Sequence, residues 1–71
     1  MEKEELKAQV QKILEGLGAK NIQFSDIGNN IIASFNWEKV VSFNVMLDGW
    51  KYTGIQLDPT KERQYKIEFY R

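Results

Sequence analysis

Residues 31–47 read IIASFNWEKVVSFNVML, and the fold turns on whether they make one strand, two strands or a repeat. The triplet Ser-Phe-Asn occurs twice, at 34–36 and 42–44, and apolar residues alternate with polar ones through both copies. A single straight strand of this length would run about 56 Å, against a radius of gyration of about 11 Å for a compact chain of this size. A loop at 38–40 instead pairs Trp37 with Val41, Phe35 with Phe43, Ala33 with Val45 and Ile31 with Leu47, and every partner is apolar. A two-residue Glu-Lys turn would pair Phe35 with Ser42 and send the apolar sets to opposite faces, which a sheet buried on one side does not tolerate. Parity therefore selects the three-residue loop. Its weakness is that WEKV has no Gly or Asn for a left-handed position, so Lys39 or a bulge must absorb the strain, or the stretch is one long, sharply bent strand. On the hairpin reading the echo is only two neighbouring strands obeying the same inside/outside rule, since solenoid repeats are longer and need at least three copies.

Working outward, NIQFSDIGNNII reads as a strand, a Gly-Asn turn of type II′ and the start of the next strand, with Ile27 opposite Asn30, Phe24 opposite Ala33 and Ile22 opposite Phe35. Downstream, MLDGWK carries Asp-Gly between Leu47 and Trp50, the signature of a two-residue type I′ hairpin that sets Val45 opposite Tyr52. LDPTKE places Pro59 after Asp58 as in a type I turn, ahead of a last alternating run, QYKIEFYR. Upstream, Leu6, Val10, Ile13, Leu14 and Leu17 recur at helical spacing on one face, Glu2, Glu4 and Glu5 suit the N-terminal dipole, and Gly18 is placed to end the helix, with Gly16 an earlier stop. The expectation is one α+β domain over residues 1–71: a helix at 3–17 packed on a curled five-stranded antiparallel meander with strands at 21–27, 31–37, 41–47, 50–57 and 64–70.

The inner face then holds Ile22, Phe24, Ile31, Ala33, Phe35, Trp37, Val41, Phe43, Val45, Leu47, Trp50, Tyr52, Ile67 and Phe69, with the helix expected against Phe24, Phe35, Phe43, Val45 and Ile67. Outside lie Gln23, Ser25, Ser34, Asn36, Ser42, Asn44, Lys51 and Thr53, with Lys66, Glu68 and Tyr70. Trp50 and Tyr52 have one parity and Ile55 and Leu57 the other, so a bulge is expected at Gly54. Five strands span roughly 24 Å but a helix is about 10 Å across, so either the sheet curls or apolar surface near Trp37, Trp50 and Tyr52 stays open for a partner or a second copy. Curling, in a mainly monomeric protein, is the reading adopted, with a homodimer as its alternative.

Composition narrows the chemistry. Ten basic and ten acidic residues leave no net charge to attract nucleic acid or anionic lipid, and the absence of Cys and His removes disulfides, thiolates, the usual zinc ligands and the common neutral-pH proton shuttle. The charged start MEKEELKAQ reads as neither signal nor anchor, no run is long enough to span a membrane, and no Asn-x-Ser/Thr acceptor occurs. With the missing cysteines, this favours a cytoplasmic address. Asp26, Glu38, Asp48, Asp58, Glu62 and Glu68 are scattered over turns and the polar face, Ser25, Ser34 and Ser42 have no histidine, and Gly16 and Gly18 follow a helix instead of opening one. No enzyme, metal site or cofactor is expected.

What remains is binding. Interface anchors favour aromatic residues, which nominates Trp37, Trp50, Tyr52 and Tyr70, with Lys51 and Lys66 as outer-face companions. The expected function is a small protein-binding module, an inhibitor or adaptor of the kind compact phage or mobile-element genomes encode, acting through a sheet edge or exposed aromatics. The alternative is single-stranded nucleic acid on the outer face, using Lys51, Arg63, Lys66, Tyr70 and Arg71; the third is a stable domain with no ligand.

Overall fold

In the computed structural model of the chain, which describes residues 1–60 and 63–71, one helix is followed by five strands in a single antiparallel sheet. Helix α1 (Lys3–Gly16) buries Leu6, Val10 and Leu14 completely, one per turn, while Ile13 is half-buried and Leu17 sits at the exposed margin. The buried stripe is narrower than the five-residue face read from the sequence. The helix stops where Gly18 takes φ +94°: its N–H donates to the Glu15 carbonyl at 3.0 Å and that of Ala19 to the Leu14 carbonyl at 2.9 Å, a Schellman closure that satisfies two terminal carbonyls.

Strands β1 (Lys20–Ile27) and β2 (Asn30–Asn36) form the expected hairpin, with Ile27 opposite Asn30 and Phe24 opposite Ala33. Gly28 carries the only positive φ of the Gly-Asn turn, +59°, as type II′ geometry requires. The expected pairing of Ile22 with Phe35 is lost because the register shifts between Lys20 and Gln23, around Asn21 at φ +56°. Asparagine is among the few residues that tolerate that conformation.

The meander order does not hold. The far side of β2 is taken by β5 (Tyr65–Tyr70), with Ile31 opposite Phe69, Ala33 opposite Ile67 and Phe35 opposite Tyr65, and the hairpin expected between 31–37 and 41–47 does not form. Residues 41–46 belong to no strand. The last run alternates with the same period, so it meets the same parity requirement, and it does so without asking WEKV to make a tight turn. Side chains extend the β2–β5 seam: Trp37 N–H donates to Gln64 Oε1 and Gln64 N–H to Asn36 Oδ1, each at 2.9 Å. On its other side β5 pairs with β3 (Lys51–Tyr52) and β4 (Gln56–Leu57). Tyr52 faces Phe69 but Gln56 faces Lys66, so one extra residue lies between the two short strands, the bulge anticipated at Gly54. The Asp-Gly turn closes with Trp50 N–H on the Leu47 carbonyl at 2.9 Å, yet only Gly49 has positive φ, +79°, so it is not the expected type I′.

The helix covers one part of the inner face and residues 41–46 cover another. Phe43 meets Tyr52 and Phe69 edge-on at ring distances of 5.2 and 6.1 Å, and the Tyr52 hydroxyl accepts from Val45 N–H at 2.8 Å while donating to the Val45 carbonyl at 2.9 Å. A side chain thus replaces the strand ladder expected between Val45 and Tyr52. The sheet stays open, the radius of gyration is 11.1 Å, and the core is Leu6, Val10 and Leu14 against Ile31, Ala33, Phe35, Ile67 and Phe69, closed at its ends by Trp37, Leu47 and Trp50. Among the described residues, no helix is long and apolar enough to cross a membrane.

Candidate functional site

Two surfaces stand out, and the first is the splayed segment after Trp37. Exposure alternates along residues 41–46, with Val41, Phe43 and Val45 half-buried and Ser42, Asn44 and Met46 exposed, the period of an extended chain. Within 40–46, and among the described residues, only Val45 has its backbone groups hydrogen-bonded inside the molecule, to the Tyr52 hydroxyl. Because successive residues of an extended chain direct their N–H and C=O groups to opposite sides, those of Ser42, Asn44 and Met46 point away from Tyr52. Met46 is 95% exposed and Val40 50%. The segment VVSFNVM carries no charge and no proline. The sheet's own edges are β1 on one side and the two-residue strands β3 and β4 on the other; β1 is protected by its bulge, by Lys20 and by Asp26, the devices that normally discourage pairing.

Asp26 also fastens the helix. Lys7 Nζ lies 2.8 Å and Lys3 Nζ 3.8 Å from its carboxylate, and Lys3 Nζ donates to the Gly28 carbonyl at 3.0 Å. The Lys7 hydrogen bond holds the Asp26 carboxyl below the usual carboxylate range and raises the Lys7 ammonium above its ordinary value.

The second surface is a groove of about 310 Å³ on the outer face of the sheet. Its floor is made by outward residues of β1, β2 and β5, among them Ile27, Ile32, Ser34 and Lys66, and its wall by Asp58, Pro59, Thr60 and Arg63. The wall is anchored at several points. Asp58 N–H donates to the Gln64 carbonyl at 3.1 Å, and Asp58 Oδ1 accepts from Thr60 N–H at 3.0 Å and Thr60 Oγ1 at 2.8 Å. These bonds, the hydroxyl's first, hold the Asp58 carboxyl below its usual range. Arg63 Nε donates to the carbonyl of Asn21, which lies where the β1–β2 register shifts.

The six nominated residues do not gather. Trp37 is 3% and Trp50 5% exposed, so both are core residues and not surface anchors. Their indole N–H groups tie the two ends of the helix region, Trp37 to the Leu17 carbonyl and Trp50 to the Met1 carbonyl, each at 2.8 Å, and the Arg71 guanidinium lies 4.2 Å from the Trp50 ring. Tyr52 is half-buried and occupied by Val45. Tyr70, 37% exposed, is the cross-strand partner of Lys51 on the outer face, and Lys66 lines the groove beside Arg63. Glu62 lies outside the described residues. Ile27, Ile32, Val40 and Met46 were not singled out from sequence, although Ile27 and Ile32 are legible there as aliphatic residues at outward parity. Among the described residues, no group of three or more His, Cys, Asp or Glu could hold a metal ion. No protein-family model, curated protein or solved structure matches the chain.

Proposed function

We propose that the protein is a protein-binding module that takes an extended strand of its partner along residues 40–46. The observation that supports this most is the unpaired backbone of that segment, whose free groups are the donors and acceptors that strand addition uses. Alternating apolar residues on the incoming strand would meet Val40 and Met46, and the absence of charge leaves nothing to repel it. Nucleic acid is the weaker reading. Lys51 and Tyr70 adjoin on the outer face, but Glu68 stands between Tyr70 and Lys66 on the same strand and face and interrupts any cationic track.

Random dodecapeptides displayed on phage and selected on the folded protein should converge on sequences with apolar residues at every second position. Asn44→Pro, which removes an outward N–H from a segment without a ladder of its own, should weaken the selected peptides by about tenfold or more while leaving the melting curve nearly unchanged. Peptides that bind Asn44→Pro as well as the parent, or a selection with no enrichment, would refute the reading.

A further inference from the structure

We propose that the outer-face groove binds a small organic anion, a carboxylate or phosphate monoester bearing an apolar group, its head between Arg63 and Lys66 and its apolar part over Ile27 and Ile32. This site is independent of the strand-addition segment.

Charge is the first argument. Arg63 and Lys66 line the same groove, and neither is in a salt bridge among the described residues. Asp58 is the single acid among the described lining residues; its Oδ1 accepts two hydrogen bonds from Thr60, and against its one negative charge Arg63 and Lys66 leave this lining net positive. Arg63 is held from behind. Its Nε is committed to Asn21, and its terminal guanidinium nitrogens make no hydrogen bond among the described residues, which leaves the part of the fork that recognises carboxylate and phosphate. Ser34, the cross-strand partner of Lys66, adds a hydroxyl to the floor.

Apolar residues supply the second argument. The outer face is otherwise polar, yet Ile27, 57% exposed, and Ile32 lie on it side by side with Ser25 and Ser34. Neither packs in the core, so folding alone does not account for them. Cations at one side and aliphatic side chains in the floor match a ligand that is charged at one end and apolar at the other. Size bounds the ligand: 310 Å³ is at the small end of the range in which ligand pockets fall. Glu68, whose Oε2 accepts from Asn30 Nδ2 at 2.7 Å, follows Lys66 on the same face and confines the positive potential to the Arg63–Lys66 end, which favours a discrete anion over a polyanion.

The test is a titration of the full, isotope-labelled chain, followed by amide chemical shifts, with phenyl phosphate, benzoate, inorganic phosphate and phenol. Phenyl phosphate or benzoate should saturate below about 10 mM, with shifts confined to the groove, including Ser25, Ile32, Ser34, Thr60 and Lys66. Saturation by phenyl phosphate alone assigns the phosphate class, and saturation by both assigns carboxylates as well. Inorganic phosphate and phenol, each lacking one half of the ligand, should bind at least about fivefold more weakly. Lys66→Gln should lower affinity by about tenfold at an unchanged melting temperature, and Lys66→Arg should retain most of it. The proposal is overturned if neither organic anion saturates, if shifts fall elsewhere, or if folded Lys66→Gln binds as the parent does.

Discussion

The pairing of β2 with β5 can be tested by a disulfide, because the parent chain has no cysteine to interfere. Ser34 and Lys66 are cross-strand partners. Such pairs have Cα separations of about 4.5 to 5.5 Å, within the span a disulfide bridges. The double variant Ser34→Cys/Lys66→Cys should therefore close intramolecularly on mild oxidation. The bond encloses about 33 residues, for which the chain-entropy relation gives about 3.7 kcal/mol of stabilisation, with native-state strain reducing the observed value toward about 2. Guanidinium denaturation with and without dithiothreitol reads the difference, and thiol titration with non-reducing mass analysis confirms closure. The control is Ser34→Cys/Asn44→Cys, the pair that a 31–37/41–47 hairpin would set opposite each other; its thiols should stay free in the monomer. A control that closes as readily as the first pair, or a first pair that stays reduced, would refute the assigned strand order.

Leu14, fully buried in the helix stripe, should cost about 2 to 5 kcal/mol when truncated to Ala, a large part of the stability of so small a chain, whereas exposed Ser42→Ala should change stability by no more than about 0.5 kcal/mol in the same denaturation assay. Asp26, whose carboxyl is lowered by Lys7, stabilises the fold above the ordinary carboxylate pKa, and this contribution is lost as pH falls through its depressed folded value. Asp26→Asn should thus flatten the decline in melting temperature below about pH 4 and lower it at pH 7; an unchanged acid limb would show that the Lys7 contact is not formed in solution.

Local order was legible in the sequence wherever neighbours in the chain set it. The helix follows from the spacing of Leu6, Val10 and Leu14, its end from Gly18, the first hairpin from Gly28-Asn29, and the inward and outward sets of β2 and β5 from an alternation that backbone geometry fixes at two residues. The α+β class follows from these alone. The neighbour of β2 was not legible, because alternation states which face a side chain occupies and not which strand lies alongside: VSFNV and YKIEF satisfy the same parity, and only the three-dimensional competition between them chose β5. That choice freed residues 40–46 from the sheet, swung Phe43 over the inner face and left a backbone edge unpaired. The tryptophans show the same limit, since an indole near a hairpin end reads as a surface anchor until the fold shows its N–H on a helix-end carbonyl, as with Trp37 and Leu17. The groove depends on it most: Arg63 and Ile27 are 36 positions apart in the chain, and only the fold, which brings Arg63 to the Asn21 carbonyl, sets cation and aliphatic side chain along one cleft.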